Sequence, residues 1–165
     1  MEVEQSRIRQ LAIALIDSQS TMTLATASAD DAWAAPVYYV YYRAGFYFFS
    51  DPASRHIRQA LAGGRTAAAI FASATTWQKI RGIQMGGAVQ AVAAGMRAAG
   101  ALGAYLRKFS FTREFFAAGE PVDLAAFSDR FKVRFYRFLP EQVDYTDNSI
   151  RFGFRQSVTL TERRG

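Results

Sequence analysis

The stretch FYFFSDPASRH, residues Phe46–His56, decides the fold of this chain. Its first part, Phe46–Ser50, is rich in aromatic residues and predicts a β-strand. A helix over residues 51–61 follows, because Asp51 or Ser50 can cap it and Pro52 suits its first turn. A strand that runs directly into a helix leaves the first amides of that helix unpaired, and unpaired amides attract anions.

Segments of strand character lie on both sides of this stretch. Thr21–Ser28 and Trp33–Tyr42 precede it, and the paired glycines Gly86 and Gly87 predict a bulge in a later strand. Strands joined by such short turns favour an antiparallel sheet, since parallel crossovers need longer connections. The other predicted strands are Thr66–Ser73, Ile80–Val92, Phe131–Leu139, Gln142–Tyr145, Ile150–Arg155 and Ser157–Thr161; the other predicted helices are residues 4–18, residues 96–109 and a short turn at Asp123–Ser128.

Together these elements predict a mainly β protein with helices, an α+β arrangement of six or more strands and three helices. We expect residues 1–165 to form a single domain. A chain of 165 residues, of which 50% are hydrophobic, can bury one substantial core.

The composition excludes several classes of function. Without cysteine the chain has no disulfide or thiolate metal site, and its single histidine, His56, excludes multi-histidine metal sites and the usual catalytic triads. No apolar run approaches the length of a membrane-spanning helix, and the acidic N-terminus does not resemble a secretion signal. We therefore expect a soluble cytoplasmic protein without a metal site. Basic residues are scattered along the chain, so the net charge of +6 indicates a solvated surface rather than a nucleic-acid patch.

The strand predicted over Trp33–Tyr42 contains a proline, Pro36. Proline has no N–H for a central ladder, so this strand is expected at an edge or at an interruption of the sheet. Free backbone groups there could pair with a heterocycle, and the aromatic residues could line a flat ring or a subunit interface. A barrel core with exposed tyrosine hydroxyls explains the same pattern.

The start of the predicted helix carries several hydrogen-bond donors. Arg55 offers a guanidinium, Ser50 and Ser54 offer hydroxyls, and His56 offers a ring nitrogen, which together suit a phosphate. Asp51 would repel a phosphate unless it points away as a cap. An ordinary capped helix is the alternative interpretation.

A third segment, Trp77–Gly87, includes a glutamine between apolar neighbours. Gln84 lies between Ile83 and Met85, so on a strand it faces the opposite side from both. There it could bond a carbonyl or ring nitrogen of a ligand, or simply face solvent.

The order of these features resembles the pyridoxamine 5′-phosphate oxidase-like FMN-binding split-barrel superfamily, in particular its small bacterial branch. The resemblance rests on the proline-bearing strand, on Ser54-Arg55-His56 at a helix start and on the Gly-Ile-Gln-x-x-Gly pattern of residues 82–87. It covers about residues 8–93, and the remainder more loosely. It implies a six-stranded antiparallel split β-barrel of Greek-key type, flanked by helices, that forms a homodimer with FMN at the interface.

The resemblance also implies where the cofactor would lie. The phosphate would contact Ser54, Arg55 and His56, and the flavin ring would run along one strand. No catalytic side chain is assigned, because the flavin carries the redox chemistry. The remaining cofactor-binding residues implied are Ala35, Pro36, Val37 and Tyr38 along the ring, Phe49 and Ser50 beside it, Gln84 at its polar edge, and Trp77 covering it, contributed by the partner subunit.

The sequence departs from the true oxidases in ways that shape the functional prediction. His56 stands where they carry a lysine, and the segment Arg155–Gly165 lacks their arginine-histidine substrate motif. We therefore expect an FMN-dependent oxidoreductase of another substrate, not a vitamin B6 oxidase. A non-catalytic module for flavin or haem is the alternative, with haem ligated by His56, a methionine or a tyrosine. A nucleic-acid-binding barrel is disfavoured because the aromatic residues of Tyr38–Tyr42 lack basic neighbours.

Overall fold

Eight strands and four helices are found in the computed structural model, which describes residues 2–160. Short 3₁₀ turns at Trp77–Lys79 and Ser110–Phe115 complete the regular structure. In chain order the elements are α1 (Glu2–Ser18), β1 (Thr21–Ser28), β2 (Asp31–Tyr38), β3 (Val40–Tyr42), β4 (Gly45–Ser50), α2 (Arg55–Gly63), β5 (Thr66–Phe71), β6 (Arg81–Ala91), α3 (Met96–Lys108), α4 (Leu124–Phe131), β7 (Arg134–Asp147) and β8 (Arg155–Ser157).

The strands form one antiparallel sheet in the order β2-β1-β5-β6-β7-β4-β3, with β8 added to β7. Strand β4 lies beside β7, although the chain leaves β4 through α2 and continues to β5, which is a Greek-key order. Strands β2 and β4 approach each other across the opening of the curved sheet. The predicted antiparallel half-barrel with helices is confirmed, but its count of six strands is wrong, since the described residues contain eight. The single domain over residues 1–165 stays a prediction.

Two apolar clusters lie on opposite faces of β4 because its side chains alternate. Phe46 and Phe48 enter the barrel interior, which α1 and α2 close. Tyr47 and Phe49 face the other way, into an aromatic layer beneath α3 and α4. None of the helices in the described residues is long and apolar enough to cross a membrane.

Two predictions concerning backbone irregularities are confirmed. Pro36 lies on β2, the strand at one end of the sheet order. The pairing of β6 with β7 shifts register between Gly86 and Gly87. A Cβ on Gly87 would lie 2.1 Å from the carbonyl oxygen of Leu139, so the backbone of β7 approaches too closely for any side chain there.

Several predicted boundaries are wrong. The segment Trp33–Tyr42 forms two strands that break at Tyr39, whereas the two strands predicted in 131–145 form the single strand β7. Residues 150–154 form a turn rather than a strand. Of the last predicted strand only Ser157 lies in β8, and residue 161 lies outside the described part of the chain.

Candidate functional site at the opening of the barrel

The connection from β4 to α2 is a tight turn closed by an aspartate. Asp51 Oδ1 accepts a hydrogen bond of 2.7 Å from the backbone N–H of Ala53. This bond occupies the Asp51 carboxylate, which was expected to cap a helix that starts at residue 51. The helix instead begins at Arg55. Ser54 occupies the N-cap position without a side-chain cap bond, and the first turn contains no acidic residue. The start of α2 therefore keeps amides without a side-chain partner.

Three of the predicted phosphate-binding residues do come together at this turn. The Ser50 hydroxyl lies 2.7 Å from Nε2 of His56, and the Ser54 hydroxyl lies 3.4 Å from the same atom. Ser50 is buried, while Ser54 and His56 are half-buried. Burial lowers the pKa of His56, an effect that nearby Asp51 partly opposes. The imidazole is therefore neutral at pH 7 and adds no charge.

Arg55 is held by the edge strand. Its Nε donates to Asp31 Oδ2 at 2.9 Å, and its Nη2 donates to the other oxygen of the same carboxylate. The guanidinium also lies over the indole ring of Trp33, 4.2 Å from the ring centroid. The hydrogen bond from Arg55 holds the pKa of Asp31 below its usual value, so the carboxylate is ionised. Most of the positive charge at this turn is thus compensated within the chain.

Strand β2 supplies the other side of the opening. Among the described strands it pairs only with β1, so backbone groups along its second edge have no sheet partner. Ala35 and Val37 are buried, whereas Pro36 and Tyr38 point outward, with half of the Tyr38 side chain exposed. The opening therefore combines a free strand edge with a cluster of hydroxyl and imidazole groups.

No protein-family model matches the chain, and neither does any curated protein. Solved structures do match in fold. A FAD-binding protein from Mesorhizobium loti has 20% identity and a TM-score of 0.60, over 81% of this chain and 90% of that chain. A haem-binding protein from Mycobacterium smegmatis has 18% identity and a TM-score of 0.69, over 92% of this chain and 57% of that chain. This chain therefore spans little more than half the length of the haem-binding protein.

A third similar structure is a Listeria innocua protein proposed to be a pyridoxamine 5′-phosphate oxidase. It has 10% identity and a TM-score of 0.60, over 82% of this chain and 95% of that chain. This chain has the pyridoxamine 5′-phosphate oxidase-like split-barrel fold. At these identities the similarity shows the fold alone. The ligand of this split barrel has to follow from its own residues.

Three other predicted site residues lie away from the opening of the split barrel. The Phe49 ring stacks on Phe127 and Phe135, with centroids 4.1 and 4.4 Å away, so its side chain belongs to the aromatic layer. Gln84 is exposed on β6, three strands from β2 and roughly 14 Å away at ordinary strand spacing. Trp77 is half exposed and contacts Phe152, with ring centroids 5.2 Å apart.

The sequence interpretation missed the residues that organise Arg55. The sequence interpretation gave Asp31 no role in the site, yet it accepts bonds from Arg55 and from Gln59 Nε2, the latter at 2.8 Å. Gln59 in turn accepts a 2.7 Å bond from the Thr26 hydroxyl. Asp31 and Arg55 are 24 residues apart, and only the position of β2 beside α2 brings them together. No local sequence signal predicts that pairing.

Proposed function

We propose that this split barrel binds FMN in the opening between β2 and the start of α2, as a flavin-dependent oxidoreductase. The observation that carries the proposal is the convergence of Ser50, Ser54 and His56 at the start of α2, a helix that contacts the edge strand β2. Proteins of the same fold are described as FAD-binding, which supports a flavin as the class of ligand.

The donors at the start of α2 fit a phosphate. The Ser54 hydroxyl and the amides of the first helical turn can donate to phosphate oxygens, and the helix dipole favours a negative charge there. The positive charge available to a phosphate is limited, because the Arg55 guanidinium already forms an ion pair with Asp31. We therefore expect most of the affinity for FMN to come from the ring rather than from the phosphate.

The free edge of β2 would orient the ring. Its backbone N–H and C=O groups can pair with the polar atoms of an isoalloxazine. Pro36 has no backbone N–H, so the strand offers the ring no donor at that position. When bound, the flavin supplies the electron-transfer chemistry. The protein then has to bind the flavin and orient its ring.

We also propose that two copies of the chain complete the site. The outer face of the sheet carries a row of small residues that runs across four strands, Ala34, Ala25, Ala67 and Gly86. The three alanines are exposed. Small side chains allow the close approach of another sheet, and Gln84 lies on the same face as Pro36, so a second copy could bring its Gln84 and Trp77 over the ring.

An absorption spectrum and a titration test the proposal. Protein purified without added cofactor, or titrated with FMN, should show a flavin spectrum with quenched flavin fluorescence. A Soret band instead would assign haem to the opening. Failure to bind added FMN, in a folded protein, would remove the flavin proposal altogether.

A pair of variants tests where the phosphate lies. Arg55→Ala should weaken FMN while leaving the affinity for riboflavin, which has no phosphate, unchanged. Arg107→Ala is the matched control, since Arg107 is an exposed arginine in the last turn of α3. If Arg55→Ala weakens both ligands equally, or neither, the phosphate does not lie at Arg55.

A further inference from the structure

A second cavity lies between α1 and the ends of β6 and β7 that meet at Arg81 and Asp147. Its volume is about 390 Å³. One wall is a face of α1, and the other is formed by the start of β6, the end of β7 and the turn that follows β7. The described residues that line this cavity include none from β2 or α2, so it is separate from the proposed flavin site.

Each wall contributes an arginine that no other side chain holds. Arg7 comes from α1 and Arg81 from β6, and both residues are exposed. In the part of the chain that the structure describes, Arg7 forms no hydrogen bond or ion pair. Arg81 acts on Tyr145 and Asp147 only through its charge. The donors of both guanidiniums are therefore available to an acceptor in the cavity.

Asp147 is the ladder partner of Arg81, yet its carboxylate is committed elsewhere. It accepts a hydrogen bond of 2.7 Å from the Tyr145 hydroxyl, and bonds of 2.6 and 2.9 Å from the hydroxyl and the amide of Ser149. Burial alone would raise the pKa of Asp147, but these bonds and the charge of Arg81 lower it overall. The ionised carboxylate thus fixes the turn, and the Arg81 donors remain for a second anion.

Three apolar side chains line the same cavity. Ile8 and Leu11 come from α1, and Ile150 comes from the turn after β7. Ile150 is 45% exposed, although its neighbours in the cavity include apolar groups on the opposite wall. Covering these side chains with an apolar group would remove their surface from water, which is favourable.

A carboxylate lies on the same wall as Arg7. Glu4 precedes Arg7 by three residues, so both lie on one face of α1, yet no ion pair joins them within the described residues. The cavity therefore presents two guanidiniums, one carboxylate without a fixed partner and an apolar surface. That combination is complementary to a molecule with a carboxylate, an ammonium group and an apolar body.

We propose that this cavity binds a free amino acid with a branched apolar side chain. The guanidiniums of Arg7 and Arg81 bind its carboxylate, and Glu4 accepts a hydrogen bond from its ammonium group. The side chain packs against Leu11 and Ile150. A ligand held in this way joins α1 to the sheet, so its binding stabilises the folded chain.

Calorimetric titration of the protein with L-leucine tests this proposal. We expect saturable binding at one site per chain, weakened about tenfold by Arg7→Gln or Arg81→Gln, because a bond between charged groups is lost. Arg9→Gln is the matched control and should leave the affinity unchanged, since Arg9 lies on the same helix but does not line the cavity. The thermal midpoints of the variants without leucine should equal that of the wild type, which verifies their folding.

Two analogues of leucine test the ligand class. N-acetyl-leucine lacks the ammonium group and leucinamide lacks the carboxylate, so each should bind about tenfold more weakly than leucine. Arg55→Ala should leave leucine binding unchanged, whether or not the protein binds FMN, because the two sites share no residue. The proposal is overturned if millimolar leucine does not bind, if Arg7→Gln and Arg9→Gln bind it alike, or if N-acetyl-leucine binds as tightly as leucine.

Discussion

The starts of α2 and α3 are built alike and differ in their charge. Each follows a strand, each lacks a side-chain cap, and each has an arginine in its first turn. At α2 the arginine is held by Asp31, and Asp51 lies in the preceding turn. At α3 the described residues that line the adjacent cavity include no carboxylate. The comparison teaches that unpaired amides alone do not define an anion site, because neighbouring carboxylates decide how much charge remains for a ligand.

The largest expected effect tests whether the flavin site needs a second copy of the chain. Ala67→Arg places a long charged side chain on the small-residue face of the sheet. We expect the proposed dimer to dissociate and FMN affinity to fall by about 100-fold or more, since burying an unpaired charge at an interface is strongly unfavourable.

Light scattering for the mass and a fluorescence titration with FMN measure this outcome. Ala118→Arg, in an exposed loop before α4, is the matched control and should change neither the mass nor the affinity for FMN. A monomeric wild type, or an Ala67→Arg dimer that binds FMN normally, would contradict the proposed interface.

The second prediction makes the start of α2 resemble that of α3, by leaving Arg55 with no nearby carboxylate that holds it. Asp31→Asn removes the carboxylate that holds Arg55, and FMN affinity should rise by about tenfold at low salt as the guanidinium turns to the phosphate. The Asp31–Arg55 pair is about 40% exposed on each side, so the fold should tolerate the change.

Asp30→Asn, the exposed neighbour, controls for the loss of one negative charge. Fluorescence titrations with FMN and riboflavin measure the difference. If the affinity for riboflavin rises equally, Asp31 acts on the flavin ring and not through Arg55.

The smallest expected effect concerns His56. Its pKa is lowered in the folded protein, so below pH 6.5 the unfolded chain binds a proton more readily than the folded chain. The free energy of unfolding should therefore fall as the pH drops below 6.5, by less than about 1 kcal/mol for this partly exposed group. His56→Gln should remove that part of the pH dependence in denaturant unfolding between pH 7 and 5.

Bound FMN would favour the protonated imidazole through its phosphate, and saturation with FMN should therefore reduce the same slope. An unchanged slope in the presence of FMN would argue that the phosphate lies elsewhere.

Local sequence signals predicted the parts of the site that are close in the chain. Ser50, Ser54 and His56 fall within seven residues, and one strand–helix turn brings them together. The place of Pro36 on an edge strand followed from its missing N–H. The pairing of Asp31 with Arg55 depends on how the β1–β2 hairpin lies against α2, and tertiary position of that kind leaves no local pattern.

Predicted boundaries were wrong where a polar side chain competes for a backbone group. Asp51 takes the N–H of Ala53 and delays the helix to Arg55. Residues 150–154 have an alternation typical of a strand, yet Asp147 accepts bonds from the backbone and the hydroxyl of Ser149 and bends the chain first. Such Asx-type bonds depend on side-chain orientation, which the pattern of apolar residues does not contain.

The bulge in β6 has a consequence for the natural variation of this protein. A side chain on Gly86 would meet no atom within 4 Å, whereas one on Gly87 would collide with the backbone of Leu139 and Pro140. The two neighbouring glycines thus differ sharply in their tolerance of change. In a library that is randomised at both positions and selected for folded protein, position 86 should accept many amino acids and position 87 only glycine.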